Sequence, residues 1–147
     1  MVWAGLMDEA FRRVLLVDDF PELLSAMTAV VQAWGHTVRC APDGEHALAI
    51  ALSWQPDVVC LDLAMPRMNG LEVARRIVAA FGDRRPLLVA ITGLSGDADR
   101  ELAAAAGFDR FLVKPHHLDA LCEILGEQPR PAAVAPPASA KLPAARR

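Results

Sequence analysis

Short, unbroken apolar runs punctuate the chain at Val14 to Val17, Val58 to Leu61, Leu87 to Ile91 and Phe111 to Val113. Runs of this kind suit parallel strands covered on both faces better than half-exposed ones. They predict a first strand over 12–17, a central strand ending at Leu61, a fourth strand that restarts after Pro86 and a fifth over 110–113. A further short strand is expected at Thr37 to Ala41.

Between the strands the period changes. Leu23, Leu24, Met27, Val30, Val31 and Trp34 recur at helical spacing, the stripe of an amphipathic helix. Pro21 opens that helix where a missing N–H costs nothing, and Gly35 stops it. A second helix is expected over 45–54, with Ala47, Leu48, Ile50, Ala51 and Leu52 as its apolar positions. It ends before Gln55 and Pro56, because a residue preceding proline avoids the helical region. Leu71, Val73, Ala74, Ile77, Val78 and Phe81 mark a third helix after Gly70, with Arg75 and Arg76 outward. A fourth runs from a cap at Asp97 through Ala106 to Gly107. Its apolar residues are Leu102 and a run of alanines, so it should be held less firmly than its neighbours. Leu118, Leu121, Cys122 and Leu125 mark a fifth. Strand and helix alternating in this way imply an α/β fold, a doubly wound parallel sheet with five strands and five helices.

At 147 residues and 54% hydrophobic content the chain supports one domain with a real core. The expected organisation is an N-terminal extension over 1–11, a domain over 12–126 and a Pro/Ala-rich disordered tail or linker over 127–147. A net charge of -3 gives no electrostatic footprint for nucleic acid, so no DNA-binding module is expected. Cys40, Cys60 and Cys122 lack the paired spacing of a zinc site and read as buried thiols in a reducing compartment. His36, His46, His116 and His117 are expected at the surface. The first residues carry acid and no basic stretch, unlike a secretory signal, and no apolar run approaches the roughly 20 residues that span a bilayer. A cytoplasmic protein with no membrane partner is expected.

The chemistry lies where the apolar runs end. Asp62 follows the central strand, Asp18 and Asp19 the first, Thr92 the fourth and Lys114 the fifth. In a parallel sheet all of these crowd one rim, where ligands bind in open α/β folds. Alone, Asp62 reads equally well as a helix cap or a solvent-facing carboxylate. Three carboxylates side by side repel one another unless a cation sits among them, and a hard oxygen set suits Mg²⁺.

The full set is more specific than any member. Val17-Asp18-Asp19, then Leu61-Asp62 through Pro66 and Asn69-Gly70, then Ile91-Thr92-Gly93, then Phe111 through Lys114-Pro115 resembles the receiver domain of bacterial two-component response regulators, from about Arg12 to about Leu125. The resemblance implies a flavodoxin-like sheet in the order 2-1-3-4-5 and a single-domain receiver. It further implies that Asp62 accepts a phosphoryl group from a phosphohistidine on a histidine kinase or histidine phosphotransfer protein. Asp19, Asp62 and the backbone carbonyl of Ala64 would hold Mg²⁺, with Asp18 reaching it through water. Lys114 and Thr92 would contact the phosphoryl oxygens, with Pro115 following in a cis peptide. Phe111 matches an aromatic switch position whose ring turns inward when Thr92 moves.

Ala64 and Leu94, which flank the phosphoryl position, are apolar and cannot orient a water, so slow autodephosphorylation is expected. Gly93 departs from the alanine common after the threonine. No enzymatic turnover is expected beyond self-catalysed phosphotransfer. The effect would pass to a downstream protein target, with a phosphorylation-dependent homodimer as one form. Other readings remain: a receiver cut from a hybrid histidine kinase, or a receiver-like scaffold that is never phosphorylated. A haloacid-dehalogenase phosphatase would need a second acid at Ala64, and an FMN binder would need a Ser/Thr-rich loop where Asp18 and Asp19 stand.

Overall fold

The computed structural model of the protein describes residues 11–94, 96–115 and 117–127. The expected extension and tail fall outside these, apart from Phe11 and Glu127, as does His116. The chain alternates strand and helix: β1 (Arg13–Val17), α1 (Pro21–Ala33), β2 (Thr37–Ala41), α2 (Gly44–Trp54), β3 (Val58–Leu61), α3 (Gly70–Phe81), a short 3-10 turn (Gly82–Arg84), β4 (Leu87–Thr92), α4 (Asp97–Ala106), β5 (Arg110–Val113) and α5 (Leu118–Glu127). The five strands form one parallel sheet in the order β2-β1-β3-β4-β5. This is the doubly wound, flavodoxin-like fold that the sequence predicts.

The apolar runs are buried on both faces, as their composition requires. Leu15, Val17, Val59, Leu61, Leu88 and Ala90 point to one side, against α2, α3 and α4. Their neighbours Val14, Leu16, Val58, Cys60, Val89 and Ile91 point to the other, against α1 and α5. The two-residue period of a strand produces this division. Each fully buried leucine or isoleucine contributes about 1.5–3 kcal/mol from the area it removes from water.

Register turns this layering into a site. Val17 pairs with Leu61, Leu61 with Ala90 and Thr92 with Val113, so the carboxyl ends of the central strands lie level. The backbone ladder runs one residue further: Asp62 N–H donates to the Val17 carbonyl at 3.1 Å and Lys114 N–H to the Thr92 carbonyl at 2.8 Å. Gly70 fixes the loop after β3. A Cβ there would collide with the Asp62 carbonyl oxygen and the Leu63 Cα, so the loop closes over β3 only with glycine.

Several expectations need correction. α4 begins at a Gly96 cap, whose N–H donates to the Asp99 carboxylate at 3.2 Å, so Asp97 is its first residue and not its cap. Leu52 is 53% exposed, because Ala47 and Ala51 turn inward and Leu52 lies about 100° round the helix from Ala51. Of the cysteines only Cys60 is buried; Cys40 sits on the edge strand β2 and Cys122 on the outer side of α5. Burial pushes the Cys60 thiol up to about 12, so it stays protonated. His36 and His117 are buried and not at the surface. His36 Nδ1 accepts the Arg12 N–H at 3.0 Å, closing the chain between α1 and β2. Among the described residues, no helix is long and apolar enough to cross a membrane.

Candidate functional site

At the carboxyl edge of the sheet the structure gathers Asp18, Asp19 and Asp62, with one carboxylate oxygen of each within 4.8 Å of the others. Asp18 and Asp62 are buried, Asp19 exposed. The Lys114 ammonium reaches across to both buried acids, 2.7 Å from Asp18 Oδ2 and 3.2 Å from Asp62 Oδ2. Burial alone would lower its pKa, but the hydrogen bond to Asp18 and the charges of Asp62 and Asp18 outweigh that, and the net shift is upward. Lys114 is therefore an ammonium throughout the neutral range.

Local hydrogen bonds aim the acids. Asp18 Oδ1 accepts the Phe20 N–H at 2.9 Å in a tight side-chain turn. The residue at the cap of α1 is Phe20, which has no side-chain cap bond, so Asp18 is engaged in the site and not in capping that helix. Asp62 Oδ1 accepts the Ala64 N–H at 3.0 Å, leaving Oδ2 toward Lys114. Asp18 and Asp62 thus each have one oxygen held by backbone and one by the ammonium. One cation among three carboxylates leaves an excess of negative charge, and the donors are all hard oxygens. That set fits a small divalent cation such as Mg²⁺.

Thr92 is fully buried at the end of β4, and its Oγ1 accepts the Leu94 N–H at 3.1 Å, which leaves its own proton to donate. The Lys114-Pro115 peptide is cis. Ala64, two residues after Asp62, and Leu94, two residues after Thr92, are both exposed, Leu94 at 43%. Phe111 is half-buried against the α2–α4 side of the core, on the same face of the sheet as Ala90 and Thr92. An open groove of about 430 Å³ leads away from Asp18 and Asp19 between α1 and the end of β2, past Pro21, Ser25, Thr28 and Pro42.

The structure therefore brings Asp18, Asp19, Asp62, Thr92 and Lys114 to one rim and leaves Phe111 farther down the sheet, beside α4. Sequence reasoning missed three contacts around these residues. Gly70 was read as loop punctuation and as the end of the family signature, but its close packing against the Asp62 backbone was not foreseen. His117 caps the approach to α5, with burial and then the Lys114 charge lowering its pKa, while the Pro115 backbone and Asp18 pull the other way. The third is Arg100, whose guanidinium carbon lies 4.5 Å from the centroid of the Phe111 ring.

Comparison with known proteins agrees with this arrangement. The family model described as response regulator receiver domain matches residues 14–126. The response regulator MprA of Mycolicibacterium vanbaalenii is 38% identical over 109 residues, covering 74% of this chain and 46% of that protein. MprA of Mycobacterium ulcerans is equally similar over the same span. The chain thus spans less than half the length of these relatives. Among solved structures, the chemotaxis protein CheY4 of Vibrio cholerae superposes with a TM-score of 0.73 at 28% identity, over 78% of this chain and 96% of that one. The response regulator TrrA of Thermotoga maritima, solved in complex with Mg²⁺-BeF, gives 0.68 at 33% identity over 76% and 94%. With its parallel sheet and the acid-lined rim, the chain belongs to the response regulator receiver domain family, which serves phosphorelay signalling in two-component systems.

Proposed function

We propose that Asp62 is the phosphoacceptor of a Mg²⁺-dependent relay. The observation that carries this reading is the position of Asp62 Oδ2, 3.2 Å from the Lys114 ammonium and within the cluster of three carboxylates. Asp62 would attack the phosphorus of a phosphohistidine, forming a mixed anhydride as the P–N bond breaks and the imidazole leaves. Transfer of a phosphoryl group needs its peripheral oxygens neutralised, since both reactants are anionic. Lys114 supplies one fixed positive charge there, and the Thr92 hydroxyl has a proton free to donate to the phosphoryl oxygens. Mg²⁺, when bound, supplies the remaining neutralisation; Asp19, Asp62 and the Ala64 carbonyl would hold it, with Asp18 acting through water.

A receiver domain implies a phosphodonor histidine kinase as partner. The groove beside Asp18 and Asp19 is where a helix bearing that histidine would lie, in the cytoplasm. Phosphorylation would then alter the surface around α4 and β5, which a downstream protein or a second copy of the chain reads.

The test is incubation with acetyl phosphate and Mg²⁺, read by intact mass. A phosphoryl adduct is expected on wild type, none on Asp62→Asn, and none when the cation is chelated. An adduct that survives Asp62→Asn would overturn the assignment.

A further inference from the structure

The groove beside the rim owes its width to small residues. Ser25, Thr28, Ala29 and Gln32 fall on one stripe of α1 and form one wall, while Cys40 and Pro42 at the end of β2 form the other. β2 is the edge strand of the sheet, so no further strand closes that side. Thr28 donates its hydroxyl to the Leu24 carbonyl at 2.7 Å, which satisfies that group within the helix. At the mouth stand Asp18, already engaged by Lys114, and Asp19, which is exposed and has no ion pair among the described residues.

The chain carries a segment of matching chemistry. Residues 128–147 are mostly Pro and Ala, with four basic residues, Arg130, Lys141, Arg146 and Arg147, and no acidic one. Its reach also fits. α1 and α5 cover the same face of the sheet and both run from the carboxyl edge to the amino edge, so the segment sets out from the far end of α1. Crossing that helix and following its 13 residues back to the acids takes roughly 35 Å. Lys141 is 14 residues beyond Glu127, about 43 Å in the extended form that Pro-rich sequence favours. Other occupants fit less well. Residues 1–10 carry Asp8 and Glu9, which the acidic mouth repels, and a second copy docked groove to groove would set two acidic mouths together.

We infer that the Pro/Ala-rich segment lies along this groove as a strap, with Lys141, Arg146 and Arg147 against Asp19 and the rim. The inference stands without the reading of Asp62 as phosphoacceptor. Where that reading holds, the strap must leave before a phosphodonor helix enters.

Cys40 offers the readout, since it is exposed and lines the groove, whereas Cys122 is exposed on α5 and lies outside it. The full chain is alkylated with iodoacetamide and each cysteine followed by peptide mass. Cys40 is expected to react several-fold more slowly in wild type than in the triple variant Lys141→Glu, Arg146→Glu, Arg147→Glu, with Cys122 unchanged. Salt at about 1 M, where the screening length falls to about 3 Å, should speed wild type toward the variant. A cation beside a thiol would by itself hasten alkylation by favouring the thiolate, so a slower reaction reports coverage and not charge. Adding Asp19→Lys to the triple variant reverses both partners and is expected to restore protection. Equal Cys40 rates in wild type and the triple variant would overturn the inference. So would protection that grows with protein concentration, which assigns the groove to the segment of a second copy.

Discussion

At the scale of single residues the site is a matter of which charges are compensated. Asp18, Asp62 and Lys114 were legible because a charged residue directly after a buried apolar run has few structural uses. The apolar neighbours were legible too. Ala64, two residues after Asp62, and Leu94, two after Thr92, stand exposed with no group that could orient a hydrolytic water. Leu94→Glu is expected to hasten acyl-phosphate decay several-fold, followed by loss of the phosphorylated mass after the donor is removed; identical decay curves would refute it. The buried histidines were not legible, because burial of one polar residue depends on partners distant in the chain. His36 has its pKa lowered by burial and then by the Arg12 charge, with Asp57 opposing. The unfolded chain therefore binds a proton near pH 6.5 that the folded chain still refuses. Stability present above that pH is lost as pH falls toward the folded value. Urea midpoints for wild type should drop between about pH 7.5 and pH 5, and drop less for His36→Asn, whose amide oxygen can accept the Arg12 N–H.

Elements were read well in kind and less well at their ends. α3 and its stripe are as expected, since Val73, Ala74 and Ile77 all face the core. The start of α4 was missed because Asp97 and Asp99 both resemble caps, and only geometry selects Asp99 as the acceptor for Gly96. The loop between β3 and α3 carries the sharpest constraint. Its Gly70 lies directly against the Asp62 and Leu63 backbone, where no side chain fits without displacement. Gly70→Ala should cost about 1–3 kcal/mol in denaturant unfolding and should also slow phosphorylation from acetyl phosphate, because the loop that would move carries Asp62. A stability loss with an unchanged phosphorylation rate would show that the loop adapts without moving the acid. A further strained point in the same loop is Arg67, at φ 64, a conformation that costs of order 1 kcal/mol for a residue with a side chain.

For the whole molecule, the alternation of buried runs and amphipathic stripes was enough to give the sheet, because parallel strands need helices on both faces and short right-handed crossovers leave few topologies. The pairing of Arg100 with Phe111 was hidden, since nothing in either segment's own pattern specifies which side chains of a helix and a strand will touch. The Lys114 bridge has a consequence in time. It joins β5 to Asp18 across 96 positions and to Asp62 across 52. During synthesis the acids emerge from the ribosome long before their ammonium does. A nascent chain that stops short of β5 carries the carboxylates without their counter-charge, so the charge balance of the rim arrives only with completion of the last strand.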